Sequence, residues 1–172
     1  KDLRISKETL KQKDIDLYTV DRGGMATFHG PGQLVAYPII KLQTKDLHQY
    51  LYTLLHTVAT VLRSYDLEPI FHEGRPGIWV GSSKIASVGI AVRRWVTYHG
   101  IAVNVNADVQ AFNVIVPCGH PGETITSMAQ ELGKSIDLEE VKHCFIKEFC
   151  KSFRYMDAST ENATWPRHPA WL

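Results

Sequence analysis

The sequence predicts an α+β fold with a mixed, largely antiparallel sheet and packed helices. Short β-type runs separated by turn residues crowd the region between residues 70 and 105, and longer segments of helical periodicity lie on both sides of it. Strand clusters interrupted by helices are typical of this class. A chain of 172 residues suits one domain. We expect that domain to span residues 1–156, with an extended tail over residues 157–172.

Two of the predicted helices have clear capping signals. The predicted helices cover residues 46–65, 124–132 and 137–153. Thr44 or Asp46 can cap the first of them, where apolar residues recur at helical spacing. Asp137 is the predicted N-cap of the last helix, with Glu140 at the capping-box position.

The predicted strands cover residues 16–20, 33–40, 70–72, 77–80, 85–92, 95–98 and 101–105. Arg93 and Arg94 are expected to turn a hairpin. The strand over residues 85–92 alternates small side chains with branched apolar ones, so one of its faces carries Ser87 and Gly89. Small residues in a strand allow close approach of a ligand or of another backbone, and the alternation leaves both interpretations open.

Composition excludes several classes of function. The formal net charge of +1 gives no overall basic field, so a nucleic-acid partner is not expected. No apolar run approaches the roughly 20 residues that span a bilayer, so no membrane partner is expected either. The odd count of 3 cysteines argues against a disulfide framework and for a reducing compartment. We therefore expect a cytoplasmic location, with the mitochondrial matrix as the alternative.

A glycine-rich segment over residues 21–38 is the first candidate for a binding site. It carries Arg22, Thr27 and His29 among several glycines and then runs into an apolar strand. Glycine lets backbone come close to a ligand, so this loop is a candidate ligand-binding element. A long hairpin connection is the alternative, because Gly and Pro occur in loops of every kind.

Cys118 and Lys84 are the candidate reactive pair. Cys118 stands between Pro117 and Gly119 in a loop, and Lys84 stands at the start of a strand. A thiolate is a nucleophile, and a nearby ammonium lowers the pKa of a thiol. The alternatives are a buried, inert cysteine and a solvated lysine. The sequence alone does not show that the two side chains meet.

Other catalytic patterns are weak or absent in the sequence. The histidines are dispersed, and Cys118 with His120 is a weak metal-ligand signature, so no metal and no cofactor are expected. There is no Gly-x-Ser-x-Gly elbow of a serine hydrolase. The glycine-rich segment also lacks the Gly-Lys-Ser/Thr ending of a phosphate-binding loop.

Several motifs in order resemble those of the lipoyl(octanoyl) transferases. The matching segments are Arg22-Gly-Gly-x-x-Thr27-x-His29-Gly-Pro-Gly-Gln33-Leu-Val-x-Tyr37-Pro38, Gly77-Ile-Trp-Val80, Lys84-Ile-Ala-Ser-Val-Gly89, His99-Gly-x-Ala-x-Asn104 and Pro117-Cys-Gly119. They cover most of residues 15–130. The resemblance implies the fold of the biotin/lipoate ligase catalytic domain.

The resemblance also implies a reaction and its residues. Cys118 would accept an octanoyl group from octanoyl-acyl carrier protein, and Lys84 would lower the thiol pKa and shuttle protons. The acceptors would be lysines of the lipoyl domains of 2-oxoacid dehydrogenase complexes and of the glycine cleavage H protein. The residues that match the acyl pocket of the family are Arg22, Gly23, Gly24, Met25, Ala26, Thr27, Phe28, His29, Ser87, Val88, Gly89, Gly100, Ile101 and Ala102.

The chain departs from the family pattern at its start. Family members usually carry an additional N-terminal region, and without it we expect an exposed sheet edge and an incomplete pocket wall. Two rival functions remain: an ATP-dependent lipoate or biotin protein ligase, and a non-catalytic module that binds an acyl chain or carrier protein. Such ligases need no cysteine at position 118, so the Pro117-Cys118-Gly119 motif favours the transferase.

Overall fold

The computed structural model describes residues 2–116 and 122–154 and contains a five-stranded sheet. Its strands are β1 (Gln33–Ala36), β2 (Ile70–His72), β3 (Arg75–Val80), β4 (Ser83–Arg93) and β5 (Val96–Asn104). Their order is β1-β5-β4-β3-β2, and every neighbouring pair is antiparallel. One isolated parallel bridge joins Lys84 to Ile125. The predicted α+β class with a largely antiparallel sheet is confirmed.

Four α-helices accompany the sheet in the described part of the chain. They are α1 (Lys7–Gln12), α2 (Leu47–Arg63), α3 (Met128–Leu132) and α4 (Leu138–Phe153), and a 3-10 helix spans Val109–Val114. The predicted caps are confirmed: Asp46 accepts from the Gln49 backbone N–H at 2.9 Å, and Asp137 accepts from Glu139 at 2.8 Å. Helix α1 was not predicted, because its sequence is polar and only Leu10 is buried.

Four predicted strands are wrong, one entirely and three in their bounds. Residues 16–20 form no strand, and Leu17, Tyr18 and Val20 are about half exposed because no described strand lies beside them. The strand predicted over 33–40 ends at Ala36, before Pro38. The two runs predicted at 95–98 and 101–105 are one strand, β5.

The predicted short helix over residues 124–132 begins later than expected. Its N-cap is Ser127, because the preceding residues are bound to β4 instead. The Lys84 N–H donates to the Thr124 carbonyl at 2.8 Å, and the Thr126 N–H donates to the Lys84 carbonyl at 2.9 Å. The predicted turn between β4 and β5 lies at Arg94 and Trp95, both with positive φ.

The two central strands give the sheet two different faces. Val88 pairs with Ile101 and Ala86 with Val103, and these residues join the main core with helices α2 and α4. Ser87 pairs with Ala102 and Gly89 with Gly100, which places the small residues together on the opposite face. The predicted alternation is therefore present, and the described helices α2 and α4 cover its large-residue face.

A second, smaller core lies outside the main one. It joins α1 to the 3-10 helix and the chain after it, through Leu10, Phe112, Val114 and Ile115. Ala26 and Phe28 of the glycine-rich segment pack against this cluster, and the Phe28 ring meets Phe112 edge to face at a centroid distance of 5.5 Å. The glycine-rich segment is thus held from behind by its own apolar side chains.

Candidate functional site

A cleft of about 230 Å³ lies between the glycine-rich segment and the small-residue face of the sheet. Most of the predicted pocket residues line it: Arg22, Gly24, Met25, Thr27, His29, Ser87, Val88, Gly89, Gly100, Ile101 and Ala102, together with Lys84. Tyr37, Gly74, Arg75 and Pro76 also line the cleft and were not predicted. The structure places Gly23, Ala26 and Phe28 elsewhere, in packing against β4 and the smaller core.

The small-residue face of the sheet needs small side chains because the backbone of the glycine-rich segment lies directly against the backbone of β4. The Gly23 N–H donates to the Ile90 carbonyl at 3.0 Å and fixes the loop on β4. A Cβ built on Gly89 would lie 2.8 Å from the Gly23 carbonyl oxygen and 2.8 Å from Cδ of Arg22. Any side chain at position 89 would therefore displace the loop and the Arg22 side chain from the cleft.

Lys84 is buried in the wall of the cleft rather than solvated. Only 2% of the residue is exposed. Its Nζ donates to the Pro76 carbonyl at 3.2 Å and lies 4.8 Å from the centroid of the Trp79 ring. A Cβ on Gly77, where φ is +146°, would lie 2.5 Å from Cε of Lys84, so glycine leaves the room that the lysine occupies. Lysine is almost never fully buried without a partner, so a buried lysine in the wall of a cleft is a candidate functional residue.

A buried carboxylate stabilises the wall behind Lys84. Glu123, whose side chain is 3% exposed, accepts from Arg75 at 2.8 Å and from Nε1 of Trp79 at 2.9 Å. The Arg75 guanidinium also lies 5.2 Å from the Trp79 ring centroid, on a ring that Lys84 contacts as well. The buried Nε of Arg75 has no hydrogen-bond partner among the described residues. Sequence reasoning missed this cluster, because no local pattern links residues 75, 79 and 123.

His29 is held in the cleft by a chain of amide side chains. Its Nδ1 lies 3.0 Å from Oε1 of Gln33. Gln33 donates to the Asn104 side chain at 2.9 Å, and Asn104 donates to the Thr126 carbonyl at 2.9 Å. Desolvation in the cleft lowers the pKa of His29, which the hydrogen bond to Gln33 opposes and the charge of Arg22 reinforces. Gln33 and Asn104 are cross-strand neighbours, a relation that the sequence does not reveal.

The predicted nucleophile lies outside the described residues. Cys118 falls in the gap between Val116 and Gly122, so its role stays a prediction. The described residues around the gap are anchored, since Val116 N–H donates to the Asp2 carbonyl at 2.8 Å and Thr124 is bound to Lys84. Cys144 and Cys150 lie in α4 and are half-buried.

The described residues show no sign of a metal site or a membrane segment. Within residues 2–116 and 122–154, no three His, Cys, Asp or Glu side chains come together in a way that could hold a metal ion. In the same part of the chain, no helix combines the length and apolar character needed to cross a bilayer.

A narrow cleft beneath a glycine-rich loop, with a buried ammonium in its wall, places the protein in the broad class of small-molecule binding and catalytic domains. Residues 1–150 match the family model described as the lipoyl protein ligase A/B catalytic domain. The chain therefore belongs to the lipoyl protein ligase A/B catalytic domain family, as the motifs predicted.

Sequence relatives in this family are named octanoyltransferases. The one from Thermoanaerobacter sp. (strain X514) is 46% identical over 144 residues, which are 83% of this chain and 63% of that protein. The one from Nitratidesulfovibrio vulgaris (strain DP4) is 40% identical over 156 residues, which are 89% of this chain and 72% of the relative. The chain thus spans less than two thirds of the length of the Thermoanaerobacter relative.

Solved structures of low identity share the fold. A lipoate-protein ligase A bound with ATP has a TM-score of 0.76 at 19% identity, over 89% of this chain and 64% of that one. A bi-partite lipoate protein ligase from Thermoplasma acidophilum has a TM-score of 0.74 at 19% identity, over 89% and 63%. Biotin protein ligase from Aquifex aeolicus has a TM-score of 0.59 at 17% identity, over 72% and 53%. The predicted biotin/lipoate ligase fold is confirmed.

Proposed function

We propose that the protein transfers an octanoyl group from octanoyl-acyl carrier protein to a lysine of a lipoyl domain, through a thioester on Cys118. The observation that carries the proposal is the burial of Lys84 in the wall of a narrow cleft. The octanoyltransferase names of relatives that are 40% and 46% identical support the same reaction. A cytoplasmic location goes with this function, and the mitochondrial matrix is the alternative.

The first step is acylation of the cysteine. The Cys118 thiolate attacks the carbonyl carbon of the donor thioester, and the carrier thiolate leaves with the electron pair of its C–S bond. Lys84 then gives a proton to the carrier thiolate, which becomes the free thiol, and Lys84 becomes neutral. Cys118 is six residues before Thr124, whose carbonyl accepts from the Lys84 backbone, and this short connection supports the pairing.

The second step is transfer to the acceptor. The acceptor amine attacks the Cys118 thioester, neutral Lys84 takes a proton from the nitrogen of the tetrahedral intermediate, and the Cys118 thiolate leaves. The intermediate needs donors for its oxyanion, and backbone N–H groups near Gly119 or in the glycine-rich segment are the candidates. A thioester becomes an amide, which runs downhill, so the cycle needs no ATP.

The cleft also fits the acyl chain. Ser87, Gly89, Gly100 and Ala102 form a flat wall because their side chains are small or absent. We propose that this wall lies along the apolar chain of the octanoyl group. The lipoyl domains of 2-oxoacid dehydrogenase complexes and the glycine cleavage H protein are the proposed acceptors.

Intact-mass analysis tests the covalent intermediate. Incubation with octanoyl-acyl carrier protein should add the mass of one octanoyl group, and Cys118→Ser should abolish the hydroxylamine-sensitive adduct. Cys144→Ser and Cys150→Ser are matched controls that should keep it, because both cysteines lie half-buried in α4. An unaltered mass for the parent protein would contradict the transferase, and a binding module would then remain.

A second assay separates the transferase from a ligase of the same fold. Lipoate and biotin ligases are structural neighbours of this chain, and one of them was solved with ATP. The proposal predicts no acyl transfer from free octanoate and ATP. Full activity of Cys118→Ala with free acid and ATP would replace the proposed function with that of a ligase.

A further inference from the structure

The proton balance of the second step, which rests on the proposed function, requires two proton acceptors. A lysine has a pKa of about 10.4 in solution and so reaches the cleft as an ammonium. It must lose one proton to become a nucleophile and a second when the amide forms. Neutral Lys84 can take only one of them and regains its charge in doing so. The other proton must leave by a different group.

His29 is a candidate because its hydrogen-bond partners decide which ring nitrogen carries the proton. The Thr126 and Phe28 carbonyls can only accept hydrogen bonds, so the groups that face them must be N–H donors. Asn104 turns its amide NH2 to Thr126 at 2.9 Å and Gln33 turns its amide NH2 to Phe28 at 3.2 Å. Asn104 Oδ1 then accepts from Gln33 at 2.9 Å, which fixes the same orientation of Gln33 a second time.

The orientation of Gln33 determines the tautomer of His29. Gln33 presents Oε1 to the imidazole, and this oxygen also accepts from the Gly30 N–H at 3.4 Å. Nδ1 of His29 must therefore be the protonated nitrogen, at a distance of 3.0 Å from Oε1. In the neutral ring Nε2 then keeps its lone pair. We propose that Nε2 of His29 takes the first proton of the acceptor-lysine ammonium and passes it to solvent.

The surroundings of His29 keep the ring neutral before it acts. Desolvation and the charge of Arg22, which lines the same cleft, both lower the pKa of His29 and so disfavour a charged ring. Arg75 and Lys84 line the cleft as well, and among the described lining residues Tyr37 is the remaining titratable group. On the β5 side, Tyr37 packs edge to face on His99, which in turn is bonded to Asp21. More than a third of His29 is exposed, so an acquired proton has a path to water.

An N–H bond of the acceptor-lysine ammonium breaks first. Its proton joins Nε2 of His29, while the electron pair of the bond stays on the lysine nitrogen. That pair then forms the C–N bond. The remaining proton goes to neutral Lys84, and the C–S bond electrons leave with Cys118. The ammonium–thiolate pair is restored, and His29 releases one proton to water for each amide formed.

The two half-reactions test the proposed role of His29. Acylation by octanoyl-acyl carrier protein measures what His29→Ala costs in binding of the acyl chain, because His29 lines the cleft. Transfer from the pre-formed acyl-enzyme to a lipoyl domain should slow by about 10²-fold, the lower end of general acid–base effects. Transfer to hydroxylamine, which is uncharged at neutral pH and needs no such acceptor, should be nearly unaffected. Equal slowing with both nucleophiles would show a structural role and overturn the proposal.

Gln33 is a positioning residue. Two substitutions of Gln33 should shift the acid limb of the pH–rate profile of the transfer step in opposite directions. Gln33→Glu places a negative charge at His29 and should move the acid limb of the transfer step up by about one pH unit. Gln33→Leu removes the hydrogen bond that raises the His29 pKa, so the limb should move down. Gln43→Glu, at an exposed loop position, controls for an added charge elsewhere. Shifts of the same sign in both Gln33 variants would overturn the proposal.

Long-range ¹H–¹⁵N spectra of the full chain give a readout that does not depend on activity. His29 should show a protonated Nδ1 and an unprotonated Nε2 near neutral pH, and Gln33→Leu should allow the other tautomer. A protonated Nε2 in the unaltered protein would overturn the proposal. If no acyl-enzyme forms at all, the proposed function and the role of His29 both fail, whereas the same spectra still report the tautomer.

Discussion

The two faces of the central sheet are built from the same two strands, β4 and β5, but one face is packed into a core and the other is left open as a cleft. On one face, Val88, Ile101 and Val103 pack under α2 and α4 in a core of large apolar side chains. On the other face, Gly89 and its neighbours let a polar loop lie on the strands. The first face provides stability through buried area, and the second provides a cleft in which polar groups are positioned individually. Substitutions on the two faces should therefore separate activity from stability.

Lys84→Met should give the largest effect and should be confined to activity. The methionine fills the space beside Gly77 without a charge, so acyl transfer should fall by about 10²–10⁴-fold as proton transfer is lost. The pH at which Cys118 alkylation is half-maximal should rise, because the ammonium is gone. Thermal melting should show a midpoint unchanged or higher, since no charge has to be buried. A midpoint lower by more than a few degrees, with alkylation unchanged, would make Lys84 a structural residue.

Leu54→Ala should give the reverse pattern on the helix-covered face. Leu54 is fully buried in α2, so its truncation leaves a cavity in the main core. The free energy of unfolding should fall by about 2–5 kcal/mol, measured by urea denaturation. Activity per folded molecule should stay within a few fold. A loss of activity out of proportion to the unfolded fraction would show that the two faces are coupled.

Glu123→Gln should have an intermediate effect, because it changes the wall shared by the cleft and the sheet. The amide keeps an acceptor for Trp79 but loses the charge that pairs with Arg75. We expect a loss of about 1–3 kcal/mol in urea denaturation. Glu139→Gln is the matched control: its pair with Lys142 spans 2.8 Å but is exposed, so the change should be within about 1 kcal/mol. Equal losses in both variants would contradict the structural importance of Glu123.

His56→Phe should produce the smallest effect, on the pH dependence of stability. Desolvation lowers the pKa of His56, and Arg63 adds to the effect. The unfolded chain therefore binds more protons below about pH 6.5, and this contribution to stability is lost as the pH falls through that range. Phenylalanine retains the ring contacts with Tyr52 and Phe71 and should flatten the pH profile. His48→Phe, at an exposed position of the same helix, controls for the added phenylalanine.

The two faces of the sheet differ in how much of each is predictable from the sequence. Helix α2 was predictable because Leu54, Val58 and Leu62 repeat with helical period and Asp46 caps it locally. The cleft was predictable only through motifs, because its wall joins residues 22–29 to strands more than 50 positions away. The strand expected over residues 16–20 was wrong, since a β-type run needs a neighbouring strand to become part of a sheet.

Other contacts in the site could not be predicted from the sequence, because they join residues that are distant along the chain. Glu123, Arg75 and Trp79 meet through a buried hydrogen-bond cluster with no sequence spacing of its own. The Gln33–Asn104 contact depends on the register of β1 with β5, although both residues belong to motifs that were recognised. The placement of Cys118 stays a prediction.

The pair of backbone hydrogen bonds between Lys84 and residues 124 and 126 makes the reactive region observable by amide exchange. The Lys84 N–H and the Thr126 N–H can exchange with deuterium only when this short parallel pairing opens. Their protection from exchange therefore reports the fraction of molecules in which residues 124–126 are separated from β4. A very small open fraction would mean that both acyl transfers occur at an almost stationary scaffold, to which the substrates move.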